Sequence, residues 1–221
     1  MKIEIIATKL EDILILNELD YDIEVELCGG MEDDGLTPDM VVVEECVLAS
    51  KHPIRVMIRN HNNGFYYSTQ QLDAMLKQIK NIKTFCFPTG FVYGCLEENQ
   101  DKMDEKAMLR LYEETKGYSN TFHKAIDRIL KDQQLSKLHE VGMSRILTQG
   151  GLDIIENNKF MLMELIDYDF DTVAGGGITL DNYKEISNIT KHIHIGRLAR
   201  IKKSYDESID VKTIKKLFCE K

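Results

Sequence analysis

The sequence predicts a (β/α)8 barrel, a closed parallel sheet surrounded by helices, formed by one domain of residues 1–221. Short apolar segments of strand length alternate with segments of helical periodicity, which is the pattern of a parallel α/β fold. Several strands are apolar on one side and ionisable on the other, as expected where one side packs on helices and the other faces a lumen. The chain is short for this fold, so its loops must be brief.

The predicted strands are short runs bounded by glycine, proline or polar turns. In order, they are Ile3–Ala7, Tyr21–Cys28, Ile54–Ile58, Phe91–Tyr93, Tyr118–His123, Arg145–Thr148, Asp171–Ala174 and His192–Ile195. Two segments have an extended pattern and could form the fourth strand, Phe85–Phe87 and Phe91–Tyr93. The second is preferred.

Helices are predicted between these strands from apolar residues at helical spacing. Pro38 suits the first turn of the second helix, Ser68 the start of the third, and Asp104 the N-cap of the fourth. A fifth major helix is expected over Leu130–Val141, and a last one over Val211–Phe218. A doubly wound open sheet is the alternative, but its strands would be continuously apolar.

The second strand shows the two-sided pattern most clearly. From Ile23 to Leu27 alternate residues are apolar, whereas Glu24, Glu26 and Cys28 share the other side. The same alternation recurs in Arg55–Arg59, Ser119–His123 and Lys191–Ile195. Such repetition favours a closed barrel with a polar lumen.

Four ionisable residues at strand ends would then converge at one mouth of the barrel, where barrel enzymes place their chemistry. They are Glu26, Arg59, His123 and His194, with Glu24, Arg55 and His192 as a supporting layer one strand step deeper. An ion network that merely fills the lumen is the plainer explanation. It would cost on the order of several kcal/mol of desolvation per ion before pairing, which favours a functional use.

Arg59 indicates what this mouth binds. A guanidinium recognises a carboxylate or phosphate bidentately, so we expect a small anionic molecule, with His194 as a further contact. His123 is the candidate general acid/base, and Glu26 is its partner carboxylate.

A copper site is the alternative use of the same mouth. It would need sulfur or imidazole ligands, and Cys28, His123 and His194 could supply them. Because the guanidinium of Arg59 opposes a bound cation, the anion ranks first and copper second, with Cys28 as the candidate metal ligand.

Glycine-rich turns follow the last two strands. Gly175, Gly176 and Gly177 come after the seventh strand, and Gly196 with Arg197 after the eighth, where many barrels hold a phosphate on backbone N–H groups. Two tight turns explain the same glycines equally well, so both interpretations stay open.

Composition excludes other partners. The net charge is −9 and the basic residues are scattered, so neither nucleic acid nor an anionic membrane surface is an expected partner. The apolar runs are too short to cross a bilayer, and the N-terminus does not read as a signal peptide. Five cysteines without a Cys-x-x-Cys pair predict reduced thiols and a cytoplasmic location. Whether the protein forms a homo-oligomer is left open.

Several segments in this order resemble the CutC family, named for copper homeostasis. They are Ile23–Cys28, Gly35–Pro38, Met57–Arg59, Thr121–Asp127, Arg145–Gly150 and Ala174–Gly177. The resemblance implies a (β/α) barrel, a cytoplasmic location and a role in copper homeostasis. It also implies Glu4 beneath the mouth as a further ligand-binding candidate. Thr148, at the end of the sixth predicted strand, is another ligand-binding candidate. The chain departs from the family where Arg59–Phe65 replaces the usual Arg-Pro-Arg-Gly-Gly-Asp-Phe.

Overall fold

Eight parallel strands close into a barrel in which successive strands pair and β8 returns to pair with β1. The chain is represented by a computed structural model that describes residues 1–130 and 134–219. The strands are β1 (Lys2–Ala7), β2 (Ile23–Leu27), β3 (Ile54–Met57), β4 (Gly90–Tyr93), β5 (Thr121–Phe122), β6 (Arg145–Thr148), β7 (Asp171–Gly175) and β8 (His192–Ile195). The predicted (β/α)8 barrel is confirmed, and so is the choice of the fourth strand.

Helices surround this sheet. Within the described residues they are α1 (Leu10–Leu16), α2 (Met40–Ala49), α3 (Thr69–Phe85), α4 (Glu105–Thr115), α5 (Lys159–Ile166), α6 (Tyr183–Thr190) and α7 (Val211–Cys219). None of these is long and apolar enough to cross a lipid bilayer.

Capping groups fix where two of the predicted helices begin. The Ser68 hydroxyl accepts from the Gln71 N–H, and the Gln71 side chain accepts from the Ser68 N–H, so α3 begins with a capping box. Asp104 accepts from the Ala107 N–H at 3.0 Å and caps α4. Pro38 differs from its prediction, because α2 begins at Met40 and leaves it just outside the first turn.

The segment between β5 and β6 also differs from its prediction. Instead of an α-helix over Leu130–Val141, the described residues form 3-10 turns at Lys124–Arg128 and Gln134–Lys137; residues 131–133 lie outside the described ranges. Three buried apolar residues of the segment, Leu135, Leu138 and Val141, lie three positions apart. That spacing is the period of a 3-10 helix and not of an α-helix.

Alternation along the strands separates apolar from ionisable side chains. Outward residues such as Ile5, Val25 and Ile193 are fully buried between the sheet and the helices. The inward side carries the buried charges Glu4, Glu24, Glu26, Arg55, Arg145, His192 and His194, as the two-sided pattern predicts. Each of these ions must be paired inside the lumen to offset its desolvation.

Arg145, on β6, is the cation around which these charges are paired. Its Nη2 lies 3.0 Å from Glu4 Oε2, and its Nη1 contacts Glu24 Oε2. Its Nε lies 3.6 Å from Asp171 Oδ2. The Arg145 side chain is only 1% exposed, so solvent screens these contacts weakly. One guanidinium therefore holds carboxylates from three strands.

His192 and Arg55 complete this layer. Arg55 Nη1 donates to Glu24 Oε2 at 2.7 Å. His192 Nε2 accepts from Arg145 at 3.0 Å, so its Nδ1 carries the proton and donates to Asp171 at 3.1 Å. The layer predicted beneath the mouth is thus joined by Arg145, which contacts His192 and Glu24, while Glu24 pairs with Arg55.

Replacing Arg145 with Met should lower the free energy of unfolding by about 3 to 5 kcal/mol, because the buried carboxylates of Glu4 and Glu24 lose the cation that they share. Arg110→Met is the matched control: Arg110 pairs with Asp73 at 2.7 Å on an exposed surface. That control should cost less than about 1 kcal/mol. Urea unfolding measures both variants, and equal losses would contradict a structural role for the lumen charges.

Candidate functional site

A cavity of about 560 Å³ opens at the carboxyl ends of the strands. Its volume suits a small molecule, and it lies at the end of the barrel where enzymes of this fold place their chemistry. Of the predicted site residues, six line it: Glu26, Arg59, His123, Gly176, Gly177 and His194. The structure places four others outside this lining: Glu4, Cys28, Thr148 and Gly175.

Thr37 and the loop before α2 hold Arg59 at the rim of the cavity. The Thr37 hydroxyl accepts from the Arg59 N–H at 2.8 Å, and the Thr37 N–H donates to the Arg59 carbonyl at 2.9 Å. The guanidinium Nη1 donates to the carbonyl oxygens of Asp33, Asp34 and Gly35. Its Nε is buried and has no hydrogen-bond partner among the described residues. The Gly35–Pro38 segment therefore positions the cation.

Phe65 packs three groups of the rim together. The guanidinium carbons of Arg59 and Arg128 lie 5.2 and 6.0 Å from the centre of its ring. The imidazole of His123 lies 4.9 Å from the same ring, centre to centre. An aromatic face attracts a cation without neutralising it, so the rim keeps its positive charge.

His123 follows β5 and lines the cavity. Its Nδ1 accepts from the Ala125 N–H at 3.3 Å, whereas its Nε2 is buried without a hydrogen-bond partner in the described part of the chain. Burial, and then the charge of Arg59, lower the pKa of His123 to about 3. His123 is not paired with Glu26 as expected. Glu26 Oε2 instead lies next to Cys28 and His194.

Glu26 and His194 lie next to each other at the floor of the cavity. His194 Nε2 lies 3.9 Å from Glu26 Oε2, and His194 Nδ1 lies 2.8 Å from Glu4 Oε1. The Cys28 thiol donates to Glu26 Oε2 at 3.3 Å. Glu26 Oε1 is buried and has no hydrogen-bond partner among the described residues. One carboxylate oxygen of the floor is thus uncommitted.

The members of this group shift one another's pKa values. Burial raises the pKa of Glu26, against the opposing charge of His194. Burial lowers the pKa of His194, but the charge of Glu26 and the hydrogen bond to Glu4 outweigh it and raise the value. Burial also acts to raise the pKa of Glu4, yet Arg145 and His194 hold it well below its ordinary value. Glu26 is therefore the carboxyl that takes up a proton more readily, while Glu4 stays ionised.

The glycine turn after β7 brings backbone and a lysine to the cavity. Gly176 and Gly177 have φ values of +93° and +90°, which favour glycine. A Cβ on Gly176 would lie 2.8 Å from Lys124 Nζ, so the lysine rests directly over this turn. Gly175 instead packs against His194 inside the lumen, where a Cβ would come within 3.0 Å of the His194 Cβ.

Asp127 ties the loops after β5 and β6 together. Its carboxylate accepts from the Thr148 hydroxyl and, at 3.1 Å, from the N–H groups of Gln149 and Gly151. Burial raises the pKa of Asp127 to about 6, although these hydrogen bonds oppose the shift. Thr148 is fully buried behind the cavity, so its contact with Asp127 supports the loop.

Three cations of the site are missing from the sequence-based candidates. Lys124 and Arg128 line the cavity, as does Arg197 of the predicted turn after β8, and Arg145 lies beneath it. Lys124 and Arg128 lie in the loop after β5, where loop residues reach the mouth of a barrel, and that signal could have found them. Arg145 begins its strand, where a lone charge is ordinarily solvent-exposed, so its sequence position carries no such signal.

The expected copper ligands do not come together. Burial and then the charge of Glu26 raise the pKa of Cys28 well above its ordinary value, which disfavours the thiolate that binds metals. The described residues with three ligand atoms within 4.8 Å of one another are Glu4, Glu26 and His194. Arg145 already supplies the cation for this group, and two carboxylates are not the soft ligands that copper(I) prefers.

The motifs and the barrel agree with one protein family. The sequence model of the CutC family matches residues 1–198. The chain belongs to the CutC family. A family protein CutC from Enterococcus faecalis is 34% identical over 181 residues, covering 76% of this chain and 84% of that protein. A second, from Glaesserella parasuis, is 30% identical over 200 residues, covering 86% of this chain and 79% of the relative.

Solved structures show the same architecture. A CutC protein from Streptococcus agalactiae, named for copper homeostasis, superposes with a TM-score of 0.79 at 29% identity, covering 89% of this chain and 98% of the other. Phosphoribosyl anthranilate isomerase from Thermococcus kodakaraensis superposes with a TM-score of 0.64 at 12% identity, covering 100% and 99% of the two chains. At that identity the likeness shows the fold alone.

His194→Gln should destabilise the protein more at about pH 5.5 than at about pH 8.5. The pKa of His194 is raised in the folded state, so the folded protein binds this proton more tightly than the unfolded chain. The resulting stability is full below the unfolded pKa of about 6.5 and is lost as the pH rises through the folded value.

Thermal unfolding at both pH values measures this difference, with His139→Gln, at an exposed histidine, as the control. A difference between wild type and His194→Gln that stays constant with pH would contradict the network of Glu4, His194 and Glu26.

Proposed function

We propose that the mouth of this CutC-family barrel binds a small anionic molecule and acts on it as an enzyme. The observation that carries the proposal is the set of four cations that line a cavity sized for a small molecule, one of them buried and three exposed. Arg59, Lys124, Arg128 and Arg197 all line it. In a concave, partly water-excluded site, such a cluster attracts a carboxylate or phosphate far more strongly than isolated surface cations would.

The anionic group of the ligand would lie between Lys124 and the glycine turn. Lys124 Nζ is close enough to Gly176 for both to contact one phosphate group. The missing side chain of Gly176 lets Lys124 Nζ and Gln149 Oε1 approach the backbone of this turn, and the nearby lysine supports the phosphate interpretation over a plain turn. Arg59 would bind a second oxygen or a second anionic group, since its Nε–H is uncommitted.

Glu26 is the proposed catalytic carboxylate. Its free Oε1 lies at the floor of the cavity, and burial raises its pKa towards the range in which a carboxyl exchanges protons at working pH. His194 and Glu4 would hold Glu26 in place and supply or remove its proton. His123 is the second proposed catalytic residue, because it lines the same cavity and its Nε2 has no hydrogen-bond partner among the described residues.

Copper is the second candidate ligand, supported by the copper homeostasis name of the Streptococcus agalactiae relative. It ranks lower because Cys28 is a protonated, buried thiol that donates to Glu26 and does not line the cavity. All five cysteines are free thiols, which supports the proposed cytoplasmic location.

Inorganic phosphate should bind to the wild-type protein, and Lys124→Gln should weaken that binding about tenfold. The loss of one charge-assisted hydrogen bond, of about 1.5 to 3 kcal/mol, accounts for a change of at least that size. Lys106→Gln removes the same charge from the exposed face of α4, outside the cavity, and should leave the affinity unchanged. Isothermal titration calorimetry measures all three proteins.

Equal affinities for phosphate in the wild type and both lysine variants would contradict this site. Binding that is absent from the wild type would contradict the proposed ligand class.

A further inference from the structure

The ring of His123 is held in one tautomer by the backbone of the turn that follows it. The Ala125 N–H can only donate, so the Nδ1 atom it contacts at 3.3 Å must carry a lone pair. In a neutral imidazole the proton then resides on Nε2. That Nε2–H is buried, has no partner among the described residues, and belongs to a side chain that lines the cavity.

The surroundings of this ring oppose a second proton. Two cations lie close to it: Arg59, whose charge lowers the pKa of His123, and Arg128, which shares the Phe65 ring with it. Lys124 directly follows it in the chain. Asp127 is the acidic residue of the same turn, but its carboxylate is occupied by Thr148, Gln149 and Gly151 of the neighbouring loop.

We propose that His123 remains neutral and donates its Nε2–H to an oxygen of the bound anion, without itself transferring protons. The proposal rests on the proposed function, because it needs an anion in the cavity. It replaces the general acid/base role expected for His123 from the sequence and leaves Glu26 as the group that moves a proton.

A fixed neutral donor favours a particular ligand chemistry. The Nε2–H can only donate, so it suits an oxygen that only accepts, such as a phosphate, carboxylate or enolate oxygen, over a hydroxyl group that must also donate. Because the ring is already oriented by Ala125, its hydrogen bond needs little reorganisation when negative charge develops on that oxygen. Together with Glu26, this arrangement suits proton transfer next to a carbonyl group, in which the carbonyl oxygen becomes negative.

Nitrogen-15 spectra of protein labelled in its histidine rings test the state of His123 directly. We expect the Nε2–H tautomer, with ring shifts that stay constant between about pH 5 and 8. Assignment uses the His123→Gln spectrum, from which the signal disappears. A ring that gains a proton in this range, or that carries its proton on Nδ1, would overturn the proposal.

Phosphate titrations of two variants test the hydrogen bond. Glutamine carries a side-chain N–H donor, so His123→Gln should keep the affinity for inorganic phosphate within about threefold, whereas His123→Ala should lose about tenfold. Thermal unfolding confirms that both variants are folded. If both lose affinity equally while the wild type binds, the proposal fails and the anion site stands. If the wild type does not bind phosphate, the proposed function fails, and this role of His123 fails with it.

Discussion

The ion pairing of Arg145 is the interaction on which the rest of the barrel depends. Natural barrels fill their lumen largely with branched apolar side chains, whereas this one carries a layer of charges. One guanidinium, bound by Glu4, Glu24 and Asp171, makes that layer tolerable inside a sheet that excludes water. Without it, the buried carboxylates of Glu4 and Glu24 would lose the cation that they share, at a cost on the order of several kcal/mol.

The same pairing determines the chemistry of the mouth. Because Arg145 keeps Glu4 ionised, Glu4 can hold His194 by its Nδ1, and His194 in turn faces Glu26. Above this acidic floor, the rim around Phe65 and the glycine turn is cationic. A ligand in the cavity would therefore meet cations for its anionic group and a proton-binding carboxyl for its reacting group. An apolar lumen could not provide both.

The strand pattern predicts most of this arrangement, because alternation along a strand fixes which side chains face inward. Glu26 and His194 reach the cavity for that reason, whereas Arg59 and His123 lie just beyond the ends of β3 and β5 and reach it from the loops. Alternation cannot predict which side chains of different strands pair, because that depends on how the strands are staggered around the barrel. The expected partners His123 and Glu26 therefore line the same space without pairing, and His194 takes the position beside Glu26.

The contacts made by loop residues were not predictable from the sequence, for a different reason. The roles of Lys124 and Asp127 come from contacts with the turns after β6 and β7, which have no periodic signal in the sequence. The α-helix predicted after β5 was wrong for the described residues of that segment, because apolar residues three positions apart favour the observed 3-10 turns over an α-helix. The fold and most of the inward charges were thus accessible from sequence, whereas Arg145, the hydrogen-bond partners and the loop positions were not.

A crystal structure of the protein grown with inorganic phosphate and copper(I) together would test the central claim most directly. The account predicts tetrahedral density in the cavity, within hydrogen-bond distance of Lys124 Nζ and His123 Nε2, and no anomalous copper signal at Cys28. An anomalous copper peak bonded to Cys28, with no phosphate in the cavity, would contradict it.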